Sequence, residues 1–132
     1  MSQENVDVVA AVLREFKATR RPTRFAPDFV WDLSRFREWP EEAEYRGRDG
    51  FTEFFANWTE PYDEWDIDVE DLVDAGEDRV LAVVRQRGRL RGADSWVELR
   101  FGMVYTLAER LIRRVELFET PAQALEAVGL AE

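Results

Sequence analysis

Residues 65–118 read WDIDVEDLVDAGEDRVLAVVRQRGRLRGADSWVELRFGMVYTLAERLIRRVELF, and the rest of the chain falls into place around them. Trp65, Ile67 and Val69 alternate with Asp66, Asp68 and Glu70, the two-residue period of a half-buried strand. AGED at 75–78 turns the chain, and residues 80–91 predict a long second strand. GADS at 92–95 turns it again. In the third strand Val97, Leu99, Phe101, Met103 and Tyr105 form an unbroken apolar face. A further turn at 108–110 leads into a last strand over 111–118. Such a meander has an apolar face to bury, and other elements must cover it.

The covering elements lie on either side in sequence. Val6, Val9, Leu13 and Phe16 recur at helical spacing over residues 2–18, with Ser2 placed to cap that helix and Glu4 in its first turn. TRRPT at 19–23 breaks it, and FVWDL at 29–33 predicts a short strand. Residues 34–47 are irregular. Asp49 is then expected to cap a second helix whose Phe51, Phe54, Phe55 and Trp58 fall at i, i+3, i+4 and i+7, ended by Pro61. At the far end, Thr120, Pro121 and Gln123 supply a cap, a first-turn proline and a capping-box partner, and Gly129 stops the helix. The order predicts one α+β domain spanning residues 1–132, with no repeat or linker to divide it.

Composition narrows the function. Of 132 residues 45% are hydrophobic, enough for one core. The formal net charge of −10 repels phosphate backbones and anionic lipid, so neither nucleic acid nor membrane is an expected partner. With no cysteine and no histidine, the chain has no thiolate or imidazole for metal binding or catalysis, and neither a metal nor a cofactor is expected. MSQENV at the start lacks the basic and apolar regions of a secretory signal, and no apolar run approaches membrane-spanning length, which makes a cytoplasmic protein the simplest reading. No phosphate loop, dinucleotide fingerprint or nucleophile elbow is present.

Taken in order, several short pieces resemble the SnoaL-like branch of the NTF2-like (ketosteroid isomerase-like) superfamily. They are SQENVDVVAAV at the start, Phe25-Ala26-Pro27-Asp28 running into Val30-Trp31, and Tyr45-Arg46-Gly47-Arg48-Asp49-Gly50 before the aromatic helix. Val104-Tyr105-Thr106-Leu107 before a turn and the tail from Ala124 to Leu130 complete them. The resemblance implies a cone-shaped α+β barrel, in which a curved antiparallel sheet wraps around helices and encloses an apolar pocket. It also implies homodimers formed through the outer sheet face. Between Lys17 and Phe25 this chain lacks the residues of the family's usual second helix, so the pocket rim there is expected to be open or closed differently.

Because that fold hosts many chemistries, function has to be sought residue by residue. The resemblance places the isomerases' base at Leu33 and their oxyanion donors near Val12 and Phe101, none of which moves a proton. The alternation that turns Trp31 inward turns Asp32 outward. The epoxide-hydrolase type of site directs attention to Arg114 and Glu116 on the last strand with Gln86 nearby, all expected to face inward beside Phe118. Glu116, raised by desolvation, would serve as a general base with Arg114 positioning an oxygen; the plainer reading is a structural ion pair. Trp31, Trp39, Tyr45, Phe55, Trp58 and Tyr62 are expected around the pocket mouth, with Phe101 and Met103 on its sheet wall, suited to stacking on a ring-containing ligand, although the helical spacing of Phe54, Phe55 and Trp58 also reads as ordinary core. The stripe Arg85, Arg87, Arg89 and Arg91 is expected to pair with Glu98 or a partner subunit's acids, and Asp66, Asp68 and Glu70 to form a solvated edge. Three functions follow as expectations: a small-molecule-binding domain; a cyclase, isomerase or hydratase using Glu116; and a dimeric interaction module with a vestigial pocket.

Overall fold

The computed structural model describes residues 2–130. Helix α1 (Ser2–Thr19) is followed by strands β1 (Phe25–Asp32) and β2 (Glu44–Arg46) and helix α2 (Gly47–Thr59). The meander is β3 (Tyr62–Gly76), β4 (Arg79–Leu90), β5 (Trp96–Ala108) and β6 (Leu111–Phe118), and α3 (Pro121–Ala127) closes the chain. The six strands form one curved, unclosed sheet in the order β2-β1-β6-β5-β4-β3. It is mixed rather than purely antiparallel: β1 runs parallel to β6, while every other neighbouring pair is antiparallel.

The turns have a common device. Glu77-Asp78 and Glu109-Arg110 each place two successive residues at positive φ, between 53° and 66°, the two-residue turn whose twist matches that of the flanking strands. Helices α1 and α2 lie on the concave face, where Val9, Val12 and Leu13 of α1 meet Phe51, Phe54 and Trp58 of α2 and the inward residues of every strand. Helix α3 lies on the convex face, over Leu81, Val83, Val104 and Phe118. It docks on Gly102, where a Cβ would approach Ala124 Cβ to 2.6 Å, so only glycine lets the helix come so close. The capping box at Thr120 and Gln123 forms as expected, and Gly129, at φ +80°, ends the helix with Leu130 N–H donating to Leu125 O at 2.8 Å.

Several boundaries differ from the sequence expectation. Strand β1 starts at Phe25 and includes Pro27, because an irregularity in its pairing with β6 between Phe25 and Val30 accommodates a residue without an N–H. Residues 44–46 form a short edge strand inside the stretch read as irregular. Asp49 is in the first turn of α2 and does not cap it. The N-cap is Arg46, in extended conformation and with no side-chain cap, and Asp49 acts on the helix dipole instead. Ser2 is the first helical residue; a cap before it would fall on Met1, outside the described residues.

Pairing on the convex face brings three carboxylates into one row: Asp32 is registered against Glu44 on one side and Glu116 on the other. Such a row repels itself unless a cation lies across it. Arg114 supplies the cation, hydrogen-bonded to Asp32 and to Glu44 at 3.3 Å. Burial alone would raise the Asp32 carboxyl, but the Ser34 N–H at 2.8 Å and the Arg114 guanidinium outweigh it and hold it below its ordinary value. A depressed folded-state pKa contributes stability above the unfolded value, about 3.9, and that stability is lost as pH falls through the folded value. Arg114→Met should therefore be clearly less stable than wild type at pH 7, with the gap narrowing below about pH 4. Urea denaturation across that range checks it, and a gap independent of pH would show that the row does not need its cation.

Candidate functional site

Concave faces of curved sheets leave space where covering helices cannot follow the curvature. Here that space is a cavity of about 50 Å³. Its walls come from α1 (Val12, Leu13, Phe16), the link to β1 (Pro22), α2 (Phe51, Phe54, Phe55, Trp58) and positions of β1, β3, β5 and β6 (Phe25, Trp31, Trp65, Ile67, Phe101, Met103, Tyr105, Leu117). The innermost walls are fully buried, whereas Phe16, Phe25, Phe55 and Trp65 are only partly so. These four form the side of the cavity nearest solvent. The rim at 20–24 contains no helix; Arg20 and Arg24 hold it at φ 61° and 65°.

Few polar atoms reach this space. Tyr105, completely buried, donates its hydroxyl only to Met103 Sδ at 3.8 Å, and burial pushes the phenol's pKa up, so it stays neutral. Trp31 Nε1 is buried with no hydrogen-bond partner among the described residues, a state that costs about 1–3 kcal/mol. Its ring meets Phe51 edge-on at 4.8 Å. Behind the wall, Gln86 is 3% exposed, and its Oε1 accepts from Trp58 Nε1 at 2.6 Å and Trp65 Nε1 at 3.0 Å. An indole N–H only donates, so the amide oxygen has to face both rings. Gln86 thus fixes one buried and one partly exposed wall of the cavity.

The residues singled out in the sequence divide. Trp31, Phe55, Trp58, Phe101 and Met103 line the cavity, and Gln86 braces it. Trp39 and Tyr45 are not in its wall: Trp39 Nε1 donates to Tyr45 Oη at 3.1 Å, and both rings pack against Phe54. The expected inward register of β6 is corrected by one residue. Val115 and Leu117 point into the core, while Arg114, Glu116 and Phe118 are on the convex side, Arg114 over the acidic row and Phe118 under α3. Phe118 misled because its apolar character serves a second core beneath α3. Asp32 faces outward as read. The α1 wall, Trp65, Tyr105 and Leu117 were not singled out, although the helical stripe containing Leu13 and Phe16 was visible in the sequence. Among the described residues no cluster of acids could hold a metal ion.

Within the cavity the sole titratable side chain is Tyr105, so its walls can enclose, orient and desolvate a molecule but carry no carboxylate to accept a proton. The arrangement is that of a cone-shaped α+β fold with an aromatic interior. A family model described as SnoaL-like domain matches residues 7–115, and the chain belongs to that family. Its structure is similar to that of TerC co-crystallised with polyporic acid, with a TM-score of 0.73 at 17% identity over 95% of this chain and 98% of the other. An NTF2-like protein from Burkholderia thailandensis E264 gives 0.72 at 23% identity over 93% and 95%. A protein of ketosteroid isomerase-like fold from Catenulispora acidiphila DSM 44928, in complex with trimethylamine, gives 0.64 at 17% over 94% and 93%. No curated protein matches the chain. No described helix is long and apolar enough to cross a membrane.

The Gln86 bridge predicts a stability effect separate from any ligand. Gln86→Leu keeps the volume but leaves two indole N–H groups without an acceptor, and should cost about 2 kcal/mol. Chemical denaturation followed by tryptophan fluorescence measures it; a variant as stable as wild type would mean that both indoles find other partners.

Proposed function

We propose that this protein binds a small, apolar, ring-containing molecule in the concave cavity. The observation that carries the reading is the wall itself: aromatic and aliphatic on all sides, with partly exposed Phe16, Phe55 and Trp65 next to solvent. Flat rings recognise flat rings by offset and edge-on contacts, and a water-poor apolar space favours neutral ligand surface. The unpartnered Trp31 N–H and the weakly partnered Tyr105 hydroxyl are two donors that a ligand oxygen would satisfy. The similarly folded TerC was crystallised with polyporic acid, which supports an organic ligand here.

Size sets the mode of binding. A cavity that takes benzene measures about 150 Å³, three times the space here. Entry of a ring therefore requires the outer aromatics to change rotamer, as partly exposed side chains can. The same small volume favours one other reading, an interaction module whose pocket is filled by its own side chains. A catalytic role for Glu116 gains no support, since its strand position faces the convex side.

A thermal-shift screen against small ring-containing metabolites distinguishes these readings. A ligand at a hundred times its Kd should add about 2.7 kcal/mol, a shift of several degrees, and Val12→Phe, which fills the cavity from α1, should abolish the shift. Stabilisation that survives Val12→Phe would move the binding elsewhere; none across a broad set would favour the interaction module. Self-association through the outer sheet face belongs to the same proposal. It would use Trp96, 44% exposed, beside Arg87, whose guanidinium lies 4.8 Å from the Trp96 ring centre and 3.5 Å from Glu98. Arg87→Glu should then reduce a dimeric mass to that of the monomer in light scattering, and an unchanged dimer would place the contact elsewhere.

A further inference from the structure

Two surface concavities share walls with the cavity, and their charges differ. One opens past Phe55 and Trp65, where signs are mixed and paired: Arg91 meets Asp63 at 3.7 Å and Arg20 meets Asp66 at 3.7 Å. The other, a groove of about 420 Å³, shares Pro22 and Phe25 with the cavity and is lined by Arg21, Arg24 and Arg48 with no carboxylate in its wall. On a protein of net charge −10, a groove walled by one sign of the minority charge is a local selection. Arg24 is committed to Glu15 at 3.0 Å. Arg21 and Arg48 are exposed and have no ion pair among the described residues, whereas most other cations of the chain do.

The segment that carries Arg21 is held in place. Thr23 and Arg24 both bond to the Glu15 carboxylate on α1, and Arg24 O accepts from Ile112 N–H at 2.9 Å. Arg20 and Arg24, both in the left-handed region, bracket the three residues between them. Pro22 fixes its own backbone and faces the cavity on one side and the groove on the other. An apolar body in the cavity would thus pass Pro22 and Phe25 to reach two guanidinium groups that form no ion pair among the described residues.

We infer that the ligand is an amphipathic anion, with an apolar ring in the cavity and a carboxylate-type group between Arg21 and Arg48. The inference rests on the proposed use of the cavity and adds the sign and position of the ligand's polar end. Guanidinium groups suit planar, bidentate anions of this kind. The buried interior excludes charge, so the anion has to remain at the rim, where these arginines are.

The test compares 3-phenylpropionate with its uncharged amide by NMR titration of the labelled protein. The acid should bind roughly tenfold more tightly than the amide. Arg21→Gln combined with Arg48→Gln should bring the acid to the amide's Kd and leave the amide unchanged. Arg35→Gln combined with Arg37→Gln alters net charge equally at a separate groove beside α3, and should keep the preference. Equal binding of acid and amide to the wild type, with cavity resonances shifting, would overturn the anion site and leave the cavity reading standing. Loss of the preference in the Arg35/Arg37 variant would also overturn it, as an effect of bulk charge. If neither compound binds, both proposals fall.

Discussion

Covering a curved sheet with aromatic rings is the constraint from which the rest of this structure follows. Phe54 on α2 lies at the centre of the problem, with the rings of Trp31, Trp39, Tyr45, Phe51 and Trp58 all within 6.1 Å of it, each of them tilted or edge-on. Rings are stiff plates. They bury much area per residue, but tilted plates on a concave surface do not close every gap as branched aliphatic chains would. The cavity between α1, α2 and the sheet is the space that remains. The same choice of side chain imposes a polar obligation, because each buried indole brings an N–H. Trp58 and Trp65 share the Gln86 oxygen, and Trp39 uses the Tyr45 hydroxyl. Trp31 alone among these is left without a partner. The buried glutamine is thus a consequence of the aromatic wall, and its position on β4 is set by where the two indoles converge.

The convex face obeys a different rule at each end. Under α3 it is a second apolar core, so β4 reads as an unbroken run from Val80 to Val84 in which inward and outward residues cannot be told apart by hydrophobicity. Beyond α3 the same strands turn to charge: Arg85 and Arg87 meet Glu98, Arg89 meets Glu64, and Arg100 meets Glu70. Exposed pairs of this kind contribute little stability individually. Their effect is on pairing, since opposite signs on neighbouring strands favour the observed register and like signs penalise a slip.

This division explains what could be read from the sequence. Elements whose evidence is local were legible: the α1 and α2 stripes, the alternation of β3, the bounds of β6 and the capping box of α3 are each written within a few residues. The β6 side-chain direction was not, because Val115, Leu117 and Phe118 are apolar for two different cores and only α3 says which belongs to which. The parallel pairing of β1 with β6 joins segments about eighty residues apart, and nothing local names the partner. The cavity wall was legible where it coincided with a periodic face, as for Phe101 and Met103. It was obscure for Trp39 and Tyr45, which the sequence placed in irregular chain and which hydrogen-bond to each other outside that wall.

Charge also separates holding a ligand from transforming it. No described carboxylate lines the cavity, which keeps one phenol that burial holds neutral. Placing a base among these rings would carry a desolvation cost with no cation at hand to offset it. A ligand faces the same rule as a side chain. Whatever part of it enters between Trp31 and Tyr105 has to be neutral, and whatever charge it carries has to stop where water begins, beside Arg21 and Arg48, which form no ion pair among the described residues. On the proposed reading, polarity within the fold gives a bound molecule one orientation: ring first, toward the sheet, with its polar end outward past Pro22.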